Sequence, residues 1–287
     1  MDKQTGIAEV VESIPRGATI AIGGSSLSRK PMGMVRALAA RGQGDYTLVV
    51  DVGGPDVDLL LGCGKVAKVI YAFVGFEVMG LAPHFRRARE SGSVEFEEWT
   101  EYTVMAGLDA TVKGVPFLPT HAGLATDLMA VNHSFRTMRD PFEGEEIVAV
   151  PALRPDFALI HANLADHQGN AVILGDGHVD VLCAKAARHT ILSAERIVSS
   201  EEIQRYGREV QVHRVHVEGV VEMPWGAHFS GCAPYYRADL GHVQEYLLAA
   251  RDPAEWDRYR ERFVTDRPDD YLDALGGMET LVGRLDV

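Results

Sequence analysis

Two adjacent glycines, Gly23 and Gly24, end a short apolar run and are followed by Ser25 and by two cations, Arg29 and Lys30. Paired glycines allow a sharp turn and the close approach of another molecule, and the amides that open a helix attract anions. The pattern predicts a strand, a tight loop and a helix, with both cations near enough in sequence to meet a phosphate or a carboxylate. On the glycines alone, an ordinary strand-to-helix connection is the simpler interpretation. Neither GxGxxG nor GxxxxGK[ST] is present, so the stretch indicates no nucleotide site.

Two further loops are expected where strands end. Gly53 and Gly54 stop the second predicted strand, and Asp166 and Asn170 belong to a polar turn after a later strand. Open α/β sheets bind ligands at the carboxyl ends of their strands, so these four residues are candidate binding residues. Asp, Gly and Asn together also form turns that are purely structural.

Glu101 is the candidate acid–base residue. It follows Trp99 by two positions and precedes the apolar pattern of a predicted helix, where the helix dipole favours a carboxylate. In a closed cleft, burial would raise the pKa of Glu101 and allow general acid–base catalysis. The nearby Glu95, Glu97 and Glu98 are typical of a solvated face.

The spacing of residues supports neither a metal site nor a serine hydrolase. His213 and His216 are expected on opposite faces of one strand, and His228 and Cys232 lie four apart in a loop. The sequence contains no HExxH, CxxC or HxH cluster, and we predict no metal site. It also lacks the GxSxG elbow of serine hydrolases.

The composition is that of a globular protein with a full core. The 287 residues are 46% hydrophobic, and the net charge of −13 argues against a nucleic-acid surface. We expect no membrane span, since no stretch approaches the roughly 20 apolar residues required. Three scattered cysteines and no signal peptide predict a cytoplasmic protein.

Apolar periodicity predicts alternating helices and strands. Parallel strands that are buried on both faces are nearly continuous in apolar residues, and several segments have this composition. Strands are predicted at Thr19 to Ile22, Tyr46 to Val52, Val66 to Phe76, Ile147 to Leu153, Phe157 to Ala165, His189 to Val198 and Val210 to Met223, with an exposed strand before Glu101. We expect one α/β domain over residues 1–287, with an open, mainly parallel sheet flanked by helices and a helical carboxy-terminal part from about residue 240.

An ordered set of motifs resembles the α subunit of family I coenzyme A transferases, especially the glutaconate CoA-transferase type. The motifs run from about Thr19 to Tyr236, which covers most of the chain. They are Gly23-Gly24 with Arg29-Lys30-Pro31-Met32, Gly53-Gly54-Pro55-Asp56, Val115-Pro116-Phe117-Leu118-Pro119, Val150 to Asp156, Ala165 to Asn170, Glu195-Arg196-Ile197-Val198 and Pro224-Trp225-Gly226-Ala227-His228.

The resemblance implies the open α/β fold of these transferases, which is NagB/RpiA-like, and a pair of similar α and β subunits that often double to α2β2. It implies acyl-CoA and carboxylic acid substrates, with no tightly bound cofactor. In such enzymes the acyl-CoA carbonyl is attacked by a glutamate of the β subunit, and CoA thiolate opens the anhydride to a glutamyl-CoA thioester. We do not assign that nucleophile to Glu201 or Glu202, whose setting matches the α-subunit pattern.

The chain also resembles the α subunit of ring-cleaving hydrolases of bacterial sterol degradation, through Gly226 to Phe229 and the segment Glu98 to Glu101. That resemblance implies water addition to a cyclic β-diketone CoA ester and carbon–carbon cleavage, with Glu101 as general acid and base. A third interpretation is a non-catalytic ligand-binding protein on the same fold. No motif indicates the acyl group, because the shape of the pocket decides it.

Overall fold

The computed structural model describes residues 2–177 and 179–285. The strands are β1 (Thr19–Ile22), β2 (Tyr46–Gly53), β3 (Val66–Val74), β4 (Glu95–Glu98), β5 (Phe117–Thr120), β6 (Arg136–Arg139), β7 (Glu146–Pro151), β8 (Phe157–Asp166), β9 (Ala171–Val172), β10 (His189–Val198), β11 (Val210–Val212) and β12 (Gly219–Glu222). The helices are α1 (Ile7–Ser13), α2 (Met32–Arg41), α3 (Pro55–Gly62), α4 (Pro83–Ser91), α5 (Glu101–Val112), α6 (Leu128–Val131), α7 (Asp180–Ala186), α8 (Ser200–Gln204), α9 (Leu240–Ala249), α10 (Pro253–Phe263), α11 (Pro268–Ala274) and α12 (Met278–Leu285).

The main sheet has nine strands, and seven of them run parallel in the order β4-β3-β2-β1-β8-β10-β12. All ten residues of β8 are buried, because this strand has a neighbour on each side and apolar cores above and below. A strand covered on both faces is expected to be mostly apolar, and β8 is so apart from His161, Asn163 and Asp166. The predicted fold class, an open and mainly parallel α/β sheet, is therefore confirmed.

Two hydrophobic cores lie on opposite faces of the sheet. Leu159 of β8 belongs to the core that includes α1, α2, α3 and the carboxy-terminal helices, whereas the neighbouring Ile160 belongs to the core with α5 and α7. This alternation follows from the two-residue period of a strand. On the carboxy-terminal helices, Trp256, Tyr259 and Phe263 are buried together as one apolar face of α10.

The prediction of a single strand from Val210 to Met223 is wrong. The segment divides into β11, which is antiparallel to β9, and β12, which is parallel to β10. A short 3-10 turn, Arg214–His216, separates the two strands. His213 and His216 therefore do not lie on opposite faces of one strand. The alternation is interrupted by two consecutive polar residues, His213 and Arg214, where the turn begins, and it resumes afterwards, so the break is only weakly marked in the sequence.

A second sheet of three antiparallel strands, β5-β7-β6, lies in the middle of the chain. The segment from Asn132 to Glu146 contains β6 as one edge of this sheet. It is partly anchored, since Asn132 and Phe135 are buried. The predicted strand at Ile147 to Leu153 corresponds to β7, which ends at Pro151.

Four helices, α9 to α12, follow Asp239. They pack against the main body through α9 and α10, whose aromatic side chains join the first core. Across the described residues, no helix has both the length and the apolar character needed to cross a membrane. The assignment of residues 1–287 to one domain stays a prediction.

Candidate functional site

The loops that follow β1, β2 and β3 lie side by side at the carboxyl edge of the main sheet. Ser26 joins them, because its amide donates to the Val52 carbonyl at 3.0 Å and its hydroxyl donates to the Gly75 carbonyl at 3.5 Å. The Gly75 amide in turn donates to the Gly53 carbonyl at 3.1 Å. The expectation that the two glycine loops share one edge is confirmed by the parallel pairing of β1 with β2. Ligands of open α/β sheets bind at this edge.

Gly24 is the residue that this loop requires. Its φ of +72° lies in the left-handed region, and a Cβ built on it would stand 2.5 Å from the Arg29 carbonyl oxygen. Its amide donates to Asp180 Oδ1 at 2.8 Å, which ties the loop to the first turn of α7. Gly23, Gly53 and Gly54 are buried beside it. The glycines therefore serve close packing of backbone against backbone.

Replacing Gly24 by Ala is expected to destabilise the fold. The left-handed conformation costs about 1–2 kcal/mol for a residue with a Cβ, and forcing the loop apart adds about 1–3 kcal/mol. Gly17 is a matched control, since it has a φ of +77° with nothing within 4 Å of a built Cβ. Gly17→Ala should carry only the cost of the left-handed conformation, whereas Gly24→Ala should also carry the cost of forcing the loop apart. Urea unfolding of both variants measures the difference. Equal losses in both variants would show that the loop is not packed as described.

Arg29 and Lys30 lie inside the protein. Arg29 is 5% exposed, and its Nη1 is 2.6 Å from Asp180 Oδ2. Lys30 is fully buried, and its Nζ lies 3.1 Å from Asp56 Oδ2 and donates to the Gly24 carbonyl at 3.1 Å. Their charges are already balanced by these two carboxylates. The geometry favours a role in holding the loop over direct contact with a phosphate.

Several polar residues at this edge are accessible, and Glu77 in the loop after β3 is one of them. Ser25 is half-buried, Ser28 is exposed, and Glu101 is exposed at the first position of α5. The predicted helix start at Glu101 is confirmed: Thr100 caps the helix and exchanges hydrogen bonds with Thr103. Among the residues that the structure describes, none pairs with the Glu101 carboxylate. Since α5 follows the carboxyl end of β4, the topology places this carboxylate on the same edge of the sheet as the glycine loops.

Asp166 and Asn170 form the turn of a β-hairpin between β8 and β9. Asp166 Oδ1 accepts the amides of Gln168 and Asn170, and Oδ2 accepts the Asn170 side chain and the Ser200 hydroxyl, all at 2.8–3.0 Å. Burial acts to raise the pKa of Asp166, but these hydrogen bonds outweigh it and lower the pKa. Both carboxylate oxygens are engaged in the turn. A structural role accounts for both residues, and the predicted binding role stays a prediction.

A buried polar network centred on Glu195 holds a second loop, and this second loop contacts the glycine loop. Glu195 Oε1 accepts hydrogen bonds from His161 Nε2 at 2.8 Å and from the Tyr236 hydroxyl, and Oε2 accepts the Trp225 amide at 2.6 Å. The loop after Trp225 is joined to the glycine loop, because the Arg29 amide donates to the Gly231 carbonyl at 2.6 Å. The network therefore positions a loop that contacts the candidate site.

The sequence shows this network only indirectly. His161 and Glu195 are polar residues within two long strands, β8 and β10, whose central residues are buried. Their partnership depends on those strands being neighbours, which no local pattern reveals. The signal that could have found them is a histidine and a carboxylate at positions where each strand is otherwise apolar.

His161, Glu195 and Cys232 also place one potential metal-ligand atom each within 4.8 Å of one another. Two nitrogen or oxygen ligands of a tetrahedral zinc ion stand about 3.3 Å apart, given bonds of about 2.0 Å. The 2.8 Å between His161 and Glu195 is a hydrogen-bond distance. Burial, more than the charge of Glu195, raises the pKa of the Cys232 thiol, so the metal-binding thiolate form is disfavoured. The geometry favours a hydrogen-bonded network over a metal centre.

Comparison with known proteins identifies the family. Residues 5–223 match the family model described as Coenzyme A transferase. The cholesterol ring-cleaving hydrolase IpdA subunit of Rhodococcus jostii is 37% identical over 284 residues, which cover 96% of this chain and 96% of that protein. The α chain of glutaconate CoA-transferase from Acidaminococcus fermentans is 32% identical over 296 residues, covering 96% of this chain and 91% of the relative.

The solved structures agree with the sequence matches. The crystal structure of glutaconate coenzyme A-transferase from Acidaminococcus fermentans superposes with a TM-score of 0.94 at 28% identity, covering 99% of this chain and 96% of the other. The resemblance inferred from the ordered motifs is confirmed, and the enzyme interpretation is favoured over a non-catalytic binding protein. This chain belongs to the coenzyme A transferase family, in which it is an α-type subunit.

Proposed function

We propose that the chain is the α subunit of a two-chain enzyme that transfers coenzyme A between an acyl-CoA ester and a free carboxylic acid. It forms one wall of the acyl-CoA cleft with the loops at the carboxyl edge of β1, β2 and β3. A partner β subunit forms the other wall and supplies the glutamate that attacks the thioester. No tightly bound cofactor takes part.

The proposal rests on one observation: three buried acids beside the glycine loops already have partners within the chain. Asp56 and Asp180 are paired with Lys30 and Arg29. Glu195 accepts three hydrogen bonds within the chain. A nucleophile needs a free lone pair directed at the acyl carbon, beside donors that stabilise the developing oxyanion. These buried acids are therefore not free to attack, and we infer that the partner subunit supplies the nucleophile, as the resemblance to two-chain transferases implies.

The assembly that we propose is α2β2, as the resemblance to two-chain transferases implies. The names of the relatives support a partner, since both are described as subunits. A cytoplasmic location is proposed because Cys63, Cys183 and Cys232 are all free thiols, which a reducing compartment maintains.

A second candidate function rests on Glu101. The R. jostii relative is described as a cholesterol ring-cleaving hydrolase subunit, and Glu101 is an exposed carboxylate at the candidate edge without a partner among the described residues. In that function Glu101 would move protons between water and a cyclic β-diketone CoA ester. Burial of this edge of the sheet by the partner subunit would then determine the pKa of Glu101.

The deciding experiment assays the co-expressed two-chain complex, as wild type and as Glu101→Gln, for both reactions. We expect exchange of CoA between acyl-CoA and labelled carboxylate, with Glu101→Gln changing kcat by less than about tenfold. Hydrolytic ring cleavage that falls by about 10²–10⁴ in Glu101→Gln would instead establish the second function.

Glu95→Gln is the matched control for this experiment. Glu95 is also an exposed acid, but it lies at the amino end of β4, and its carboxylate pairs with Lys68 at 2.8 Å. Its replacement should leave both activities unchanged. Loss of activity in Glu95→Gln as well would point to a general effect of charge on assembly.

A further inference from the structure

A cleft of about 740 Å³ lies between α4 and the turn that joins α9 to α10. Gly62, His84 and Trp256 line it, together with two arginines, Arg87 and Arg251. We call it the arginine cleft. A second depression of about 490 Å³ adjoins it and shares both arginines. The arginine cleft itself is lined by no residue of the Gly23-Gly24 or Gly53-Gly54 loops, whereas Met79, Gly80 and Leu81, in the loop that follows β3, line the adjoining depression.

The two arginines pair with no carboxylate in the described part of the chain, although the protein as a whole carries a net charge of −13. Within those same residues, the side-chain hydrogen bond of Arg87 goes to His84, and the Arg251 side chain makes none. Asp58 is buried below α4, and its two oxygens accept the Phe85 amide and the Tyr246 hydroxyl. Burial raises the pKa of Asp58 to about 6, and the charge of Arg87 is the smallest of the effects that oppose this rise.

The acidic residues of the arginine cleft are engaged with other groups. Glu90 pairs with Arg86 at 2.8 Å. Asp252 caps α10 by accepting the amides of Ala254 and Glu255 at 2.9 and 3.1 Å. Neither carboxylate pairs with Arg87 or Arg251, so among the described residues both guanidinium groups stay available to a ligand, although the two arginines and two acids of the lining balance in formal charge.

His84 adds a donor without an acceptor. Arg87 Nη2 lies 2.7 Å from His84 Nδ1, and because a guanidinium only donates, Nδ1 must be the acceptor. The ring is then neutral, with its proton on Nε2. Burial, followed by the charge of Arg87, lowers the pKa of His84 to about 3, so this state persists at neutral pH. Nε2 is buried, the residue is 7% exposed, and no described group accepts from it.

We propose that the arginine cleft binds a phosphate-bearing small molecule. The two exposed guanidinium groups offer several donors and two positive charges to one ligand, and the buried N–H of His84 lies beside them. A phosphomonoester matches them, since it carries a charge of about −1.5 to −2 and three acceptor oxygens. A guanidinium group binds phosphate through paired hydrogen bonds. A single carboxylate would leave some of the donors of the two guanidinium groups here without an acceptor. The volume lies within the range of about 300–1,000 Å³ found for ligand pockets.

The ligand is either a free phosphate compound or the phosphorylated end of coenzyme A, and the chemistry of recognition is the same. A free ligand would make the arginine cleft a regulatory site separate from the catalytic one. The phosphorylated end of coenzyme A would make it part of substrate binding, and that version rests on the proposed function. The two sources are distinguished by which molecules compete with a bound phosphate probe for the arginine cleft.

The test titrates the full chain, with any subunit that co-purifies, using inorganic phosphate and adenosine 3′,5′-bisphosphate as probes. We expect saturable binding that Arg87→Gln and Arg251→Gln each weaken by about tenfold or more, the effect of losing a charge-assisted hydrogen bond. Displacement of the bisphosphate by coenzyme A, but not by its phosphate-free pantetheine part, would assign the site to the substrate. Phosphate binding that coenzyme A does not displace would assign it to a separate ligand.

Arg89→Gln is the control, because Arg89 lies on the same helix, pairs with Glu98 at 3.0 Å and does not line the arginine cleft. It should bind both probes as the wild type does. Unfolding midpoints of Arg251→Gln and Arg89→Gln should match the wild type, since both arginines are exposed. Arg87→Gln also removes the donor to the buried His84, so its binding is measured at a temperature where circular dichroism shows the variant folded. Wild-type affinity in Arg87→Gln and Arg251→Gln, equal weakening in Arg89→Gln, or no binding of either probe would each overturn the proposal. These outcomes are independent of acyl exchange, so they leave the proposed function untouched.

Discussion

Replacing Lys30 by Met is expected to lower the free energy of unfolding by about 3–5 kcal/mol, the cost of leaving a buried charge without its partner. Lys30 is fully buried, and its ammonium group lies 3.1 Å from Asp56 Oδ2. Met fills a similar volume, so the loss comes from the uncompensated carboxylate. The measurement is urea unfolding followed by circular dichroism.

Two further variants make this prediction specific. Lys30→Met combined with Asp56→Asn should recover much of the loss, because the unpaired charge is then removed. Arg16→Gln breaks an exposed pair with Asp45 and should cost no more than about 1 kcal/mol. A Lys30→Met protein of normal stability that binds acyl-CoA poorly would contradict the structural role and favour direct contact between Lys30 and the substrate.

Without a partner, the purified chain is expected to exchange CoA at least about 10³-fold more slowly than the two-chain complex, which is the effect of losing a catalytic nucleophile. The reason is that the buried acids Asp56, Asp180 and Glu195 are each committed to partners inside the chain. Co-expression with the β subunit should restore activity. Mass spectrometry after incubation with acyl-CoA should then show the covalent CoA adduct on the β subunit, with the mass of this chain unchanged.

The control for this experiment is a β subunit in which the nucleophilic glutamate is replaced by glutamine. It should assemble normally, as judged by gel filtration, yet form no adduct. An adduct on this chain, or exchange by this chain alone, would contradict the proposed division of labour. Assembly without either exchange or adduct, but with ring cleavage, would support the hydrolase.

Local patterns predicted the strands that are covered on both faces. The long, largely apolar segments of β3 and β8 have few alternatives, because a strand between two cores buries most of its side chains, and all ten in β8. The same reasoning failed for Val210 to Met223, because the alternation resumes after two consecutive polar residues, His213 and Arg214, at the start of a 3-10 turn that separates two strands. Periodicity reports which side chains prefer burial, and it does not report which neighbour each strand pairs with.

The candidate residues show the same division. The cations Arg29 and Lys30 are conspicuous in sequence beside a glycine loop, which suggests an anion site. Their carboxylate partners, Asp180 and Asp56, are 151 and 26 positions away along the chain, and only the folded structure brings them to the cations. Glu101 was placed at a helix start by its neighbours alone, and this held because a helix cap is a local structure.

The sequence by itself determined the α/β class, the sequence positions of the glycine loops and the family, because hydrophobic period, turn chemistry and ordered motifs are properties of short segments. Only the tertiary structure decided which charges are available. It buried Arg29 and Lys30 against distant carboxylates, and among the described residues it brought no such carboxylate to Arg87 and Arg251. Electrostatic pairing depends on distances in space, and those follow from the order of strands in the sheet and the helices packed on it.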